Sequence, residues 1–374
     1  MLLPAYLLAL GHDAWDVGLL STATLLGSAA ATLALGALGH RAPSRTWLLA
    51  AAGLMAATGL GFAGLSAFWP LLVVAFVGTL NPGGGDVSVF LPLEHARLSA
   101  LAPNSAARTH LFARYTLAGS LSASLGALAV GAPAWLASRH DVALVDALRA
   151  MFVVYAGVGV ALWFLYRRLP PSAPQDMSAP AAPLRASRRV VIKLAALFSL
   201  DAFAGGLVLN SLLSLWLMQR FDLSLAATGA FFFCSGLLSA VSQLAAPVLA
   251  RRIGLLNTMV FTHLPANVFL LAAALAPTME AALALLLARA LLSQMDVPTR
   301  TAYVMSVVTP AERTAAASFT AVPRSLAAAA SPALAGALFA AGWLAAPLLL
   351  CGGLKIVYDL TLWRACRKEN LLGD

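Results

Sequence analysis

Twelve apolar blocks, separated by prolines, glycines and clusters of charge, run along the whole sequence at about residues 1–11, 14–39, 47–66, 70–94, 109–132, 147–166, 190–218, 226–249, 258–276, 281–307, 316–341 and 343–363. All but the first approach the roughly 20 residues a helix needs to cross a hydrocarbon core of about 30 Å. The chain is 61% apolar and only 10% charged, against about 25% charged in a soluble domain, which excludes a water-soluble globule. The runs are continuously apolar and do not alternate. Since only helices and closed barrels satisfy their backbone polar groups in lipid, the pattern predicts helices and not a barrel. The expected fold is an all-α polytopic membrane protein with about eleven full spans and a remnant of one more.

One stretch breaks the pattern. Residues 167–189, RRLPPSAPQDMSAPAAPLRASRR, are rich in Pro, Ser, Ala and Arg and have no apolar face, as expected of a linker. Residues 1–166 and 190–363 then form two halves, with 364–374 as a basic tail. The halves resemble each other: a shift of 211 positions lays Gly18 on Gly229 and Arg41 on Arg252, and a shift of 210 lays Asp86 on Asp296, Arg114 on Arg324 and Gly126 on Gly336. Two six-helix repeats follow. On that register the partner of helix 7 begins before Met1, so the first helix is expected to be truncated, through a misplaced start or a true loss. The N-terminal residues MLLPAYLLALGHD lack the basic stretch and cleavage site of a signal peptide.

The net charge of +9 suggests a nucleic-acid partner only until the cations are placed. If each block reverses direction, sixteen of the 24 Lys and Arg residues fall on one side, including Arg41, Arg45, Arg97, Arg108, the linker set, Arg251, Arg252, Arg313 and the tail. Arg139, Arg149 and Arg220 fall on the other. This bias predicts that the linker and C-terminus are cytoplasmic, in an inner membrane, and it removes the need for nucleic acid. Cys234, Cys351 and Cys366 have no metal-site or disulfide spacing. Gly59, Gly61 and Gly64 spell GxGxxG inside an apolar run with no preceding strand, so the dinucleotide reading fails. HExxH and GxSxG are absent, and neither an enzyme, a cofactor nor a metal is expected.

With two six-helix repeats and a long intervening loop, the sequence resembles the major facilitator superfamily over essentially its whole length, apart from the missing first helix. The family's marker between helices 2 and 3 reads GALGHRAPSR here, where Gly36, Arg41 and Arg45 match, His40 stands in place of the acid and Pro43 in place of a glycine. The resemblance implies that Glu94, in LPLEH, is a partner for Arg41. Residues 293–336 look like helices 10 and 11 of one branch of the superfamily. The family's helix-4 arginine position holds Thr79, whereas Arg289 occupies the equivalent place in helix 10. The Gly-Pro signature of the family's exporters is missing from helix 5. By the same resemblance, helices 1, 4, 7 and 10 line a central cavity.

Ionisable groups inside the bilayer are costly and therefore informative. Asp296 and Arg300 are four apart, as are Lys355 and Asp359, so each pair can join locally. Asp86 with Arg114, and Asp296 with Arg324, form a repeated arrangement that reads either as two structural clamps or as a gate whose pairs close in one access state. Asp201 lies about 17 Å into helix 7, near the midplane. No cation stands three or four positions away, so it is expected to be an unpaired carboxyl suited to taking up and releasing a proton, or a hydrogen-bonded structural acid. Asp86 and Asp296 are further coupling candidates. Asn81, Asn210, Gln294, Arg289 and Trp216 are candidates for contact with a solute, Arg289 favouring an anionic group or else pairing with Asp296. His263 is expected to be a packing histidine.

The reading that follows is a secondary active transporter of a small solute, monomeric, working by alternating access and coupled to protons, with direction open and export slightly favoured. The rival is a non-transporting membrane protein, a truncated paralogue, sensor or scaffold, that keeps the fold.

Overall fold

The computed structural model describes residues 1–83, 90–101, 105–170, 185, 187–309 and 312–367. Among them no strand occurs and sixteen α-helices do. The N-terminal half holds α1 (Leu2–Ala9), α2 (Ala14–Leu38), α3 (Ser44–Gly64), α4 (Phe68–Val77), α5 (Phe90–Leu101), α6 (Ser105–Leu128), α7 (Ala132–His140) and α8 (Leu144–Arg167). The C-terminal half holds α9 (Arg188–Gly206), α10 (Asn210–Phe221), α11 (Leu225–Ile253), α12 (Leu255–Ala274), α13 (Met279–Ser293), α14 (Asp296–Val307), α15 (Arg313–Ala340) and α16 (Ala346–Cys366). Nine helical segments of the described residues are long and apolar enough to cross a membrane. Most of the expected linker lies outside the described residues, and α16 runs three residues past its expected end.

Several expected spans are built from two helices. The span 188–221 is interrupted at 207–209, after Gly205 and Gly206, and the span 279–307 at 294–295. Pro298 explains the second break, because it cannot donate to the carbonyl four residues back but is tolerated in the first turn of α14. In the N-terminal half, α4 ends at Val77 and α5 begins at Phe90, on either side of the NPGGGD run. Side-chain caps start α2, α11 and α13, where Asp13, Ser224 and Thr278 accept from the amides of Asp16, Ala227 and Ala281.

Polar contacts define the two ends of the bundle. At the linker end, Arg45 donates to the Arg167 carbonyl (2.6 Å), Lys193 to the Ala365 carbonyl (2.8 Å), and the Glu312 carboxylate accepts from the amides of Arg185 (2.8 Å) and Ser187 (2.9 Å). At the far end, His12 meets the Ser66 carbonyl (3.1 Å) and Arg149 donates to the Ser66 hydroxyl (2.7 Å).

The halves meet through α2 against α15 and α6 against α11. These two contacts are related by the internal repeat, and both are made without side chains in the way. A Cβ on Gly336 would sit 2.7 Å from the Ala14 carbonyl oxygen and 2.8 Å from Gly18 Cα, and one on Gly229 2.6 Å from the Ala127 carbonyl oxygen. The Thr22 hydroxyl accepts from the Ala333 amide across the same seam (3.0 Å). Small residues let helix backbones approach where lipid supplies no hydrophobic drive for association. All of these contacts are on the far half. Toward the linker end, α2 and α15 part around a cavity of about 510 Å³ lined by Leu25, Thr32, His95 and Ser325. Among the described residues, the bundle is closed at its far end and parted between α2 and α15 toward the linker.

A leucine at Gly336 has only backbone to press against, so Gly336→Leu is expected to separate α2 from α15 at the far end. Spin labels at Trp15 and Ala341, with the native cysteines replaced, check this by pulsed electron resonance: the interspin distance should lengthen and broaden relative to the glycine protein.

Candidate functional site

The buried charges gather in the C-terminal half. Asp201 on α9 accepts from Lys355 Nζ on α16 (2.5 Å) and from Arg300 Nη1 on α14 (3.2 Å). Arg300 also joins Asp296, one helical turn away, and its guanidinium lies 5.5 Å from the centre of the Phe198 ring. The expectation of an unpaired Asp201 is corrected: its cations come from other helices, 154 and 99 positions along the chain. Lys355 accordingly does not pair with Asp359. The Asp359 carboxylate instead takes His263 Nδ1 (2.9 Å) and the Asn267 side-chain amide (3.1 Å) on α12, which makes His263 a partnered buried histidine. Each of these charges is buried, where a charge persists only with a partner.

A cavity of about 480 Å³ opens on this network, lined by Asp201, Asp296, Arg300, Lys355, Arg289 and Arg324 among others. A second, of about 240 Å³, shares Arg289, Ser293 and Gln294 with it and reaches Ser120 and Ser124 on α6 across the interface. Gln294 and Asn210 line these spaces. Arg289 lines both and has a buried Nε with no hydrogen-bond partner. Among the described residues Arg289 makes no ion pair, Asp296 being taken by Arg300. For the same reason the expected Asp296–Arg324 pair is not formed, and Arg324 is exposed on the cavity wall.

Other expected residues lie elsewhere. Asn81 accepts from the Gly83 amide (3.0 Å) and lines a separate space beside Leu80 and Tyr155. Trp216 is buried in the apolar core with its ring edge-on to Phe221. Glu94 receives the hydroxyls of Tyr115 on α6 and Tyr166 on α8. These occupy the carboxylate expected to meet Arg41, which is exposed between α2 and α3 and makes no ion pair with Glu94. Arg114 is exposed on α6, and its expected partner Asp86 lies outside the described residues. Sequence reasoning missed Ser235, Ser239 and Gln243, which line the smaller cavity. Their spacing of four on α11 was the available signal, since residues four apart share a helix face.

With this geometry in place, comparison with known proteins decides the family. The Major Facilitator Superfamily model matches residues 1–293. The chain belongs to the major facilitator superfamily. A Saccharomyces cerevisiae protein described as uncharacterized membrane protein YJR124C is 22% identical over 305 residues, covering 72% of this chain and 68% of its own. The nucleoside transporter NupG superposes with a TM-score of 0.73 at 13% identity, over 97% of this chain and 93% of that one. The inward-open xylose transporter XylE from E. coli also gives 0.73, at 15% identity, over 94% and 86%. The likeness to both solved structures is one of fold. Membership of the superfamily and the nine apolar helical segments make this chain a multi-pass membrane protein and support a secondary transporter.

Removing one partner of a buried ion pair leaves an uncompensated charge, at about 3–5 kcal/mol. Lys355→Met should therefore lower thermal stability by about 3 kcal/mol, the low end of that range because Arg300 still faces Asp201. The double variant Asp201→Asn/Lys355→Met should regain most of the loss. Melting of the detergent-purified proteins measures both.

Proposed function

We propose that this chain carries its solute by alternating access and couples the movement to protons through Asp201. The observation that carries the reading is the position of Asp201: one carboxylate joins α9 to α14 and α16, and it does so on the wall of the cavity. Protonation removes the charge that holds Lys355 and Arg300, and deprotonation restores it. A proton taken up from one side thereby changes how three helices are fastened, which is the kind of two-state element that alternating access requires. Asp296 remains with Arg300 through the change as the local member of the network.

The packing of the halves supports the same cycle. The far-end seam of Gly18 on Gly336 and Ala127 on Gly229, with the gap at the linker end, suits one of two access states. The cation bias of the connections supports a reading in which that gap faces the cytoplasm, in an inner membrane with the linker and C-terminus inside. A carrier in this state faces inward. The Ser211 amide donates to the Pro82 carbonyl (3.0 Å), joining the break in the α4–α5 span to the break between α9 and α10. In this reading the cavity closes on the far side at two interrupted helices, where freed backbone groups can exchange partners as the halves rock.

Proteoliposomes carrying a pH-sensitive dye test the coupling. With Asp201→Asn, solute exchange down its own gradient should continue while solute-driven proton movement disappears. Proton movement at the rate of the unaltered protein would refute the role given to Asp201.

A further inference from the structure

Among the described residues, the cavity carries more positive charge than its acids can balance. Asp201, Asp296 and nearby Asp359 are three carboxylates; Arg289, Arg300, Arg324 and Lys355 are four cations, with His263 a further one when protonated. The acids are all committed. Asp201 and Asp296 hold Arg300 and Lys355, and Asp359 holds His263 and Asn267. Arg289 and Arg324 are left facing the cavity with no ion pair or hydrogen bond to any described residue. While the cavity is open, water hydrates them. When the halves close over it and water leaves, two guanidinium groups in a low-dielectric space need a counter-charge. Arginine cannot shed its proton to escape this requirement.

The neighbouring wall supplies a second criterion. Ser235, Ser239 and Gln243 form one stripe along α11, at intervals of four residues, and with Asn210 and Gln294 they line the space next to Arg289. None of these five side chains has a hydrogen bond to a described residue, although they stand between otherwise apolar helices. Polar groups in that setting call for polar atoms on whatever displaces the water. The two adjoining spaces, about 240 and 480 Å³, suit a small molecule.

We infer that the solute is a small hydroxylated organic anion, its carboxylate or phosphate received by Arg289 and Arg324 and its hydroxyl groups by the polar stripe on α11 with Asn210 and Gln294. The inference rests on the transporter reading above and names the class of solute that reading left open. It also gives each part of the cavity one task. The anion neutralises the two free arginines, and the hydroxyls replace water along α11. A neutral sugar would satisfy the stripe but strand the cations, and a bare inorganic anion would do the reverse.

Equilibrium binding to the full-length protein in detergent tests this without any proton gradient. The probes are glucuronate, glucose 6-phosphate and malate, with glucose as the neutral counterpart and sulfate as the bare anion. At least one organic anion is expected to bind more tightly than glucose and sulfate. Its affinity should fall roughly tenfold or more in Arg289→Gln, the loss of a charge-assisted hydrogen bond, and recover in part in Arg289→Lys. Arg324→Gln should weaken it in the same direction. Which of glucuronate and glucose 6-phosphate binds tells a carboxylate site from a phosphate site. Glucose or sulfate binding as tightly as every organic anion, none of the organic anions binding, or an affinity unchanged in Arg289→Gln would each overturn the inference. Because binding is read without a proton gradient, a protein that binds the anion but moves no protons fails the coupling proposal alone, and one that moves protons but ignores these anions fails this one.

Discussion

A charged carboxylate in the hydrocarbon interior must hold a cation, and in this protein Asp201 reaches across two helix boundaries to hold two of them. The rest of the C-terminal half is arranged around that requirement. α14 brings Arg300, which Asp296 steadies from within the same helix, and α16 brings Lys355. Because Lys355 is drawn to Asp201, Asp359 is left to His263 and Asn267 on α12. One buried acid thus sets the partners of four helices.

The two halves are joined on a different principle. Their seam is made by glycines and backbone carbonyls, and such close approach cannot be adjusted by degrees: the surfaces either meet or part. The far end is met and α2 and α15 part toward the linker end, and the charged cavity lies on the open side of that seam. Packing that is tight at one end and open at the other is what one access state of a carrier requires.

Some of the site was legible before any coordinates. Asp296 and Arg300 are one turn apart, and their pairing follows from helical spacing alone. Arg289 and Gln294 fell on the cavity because the resemblance to the family located the lining helix. Asn81 and Trp216 did not, because a helix that is apolar on every side offers no polar face to say which way it looks. Asp201 misled for a related reason. The absence of a cation at three or four positions excludes a partner on its own helix and says nothing about the neighbours, and its partners proved to be 99 and 154 residues distant.

The sequence by itself determined the medium, the helices, the two-fold repeat and the side on which the cations collect, since each follows from hydropathy, periodicity and charge read along the chain. Only the tertiary structure decided which charges are spent on one another and which are left facing the cavity. That outcome depends on the rotation of each helix about its own axis, and packing sets this rotation through contacts between residues that the chain keeps far apart.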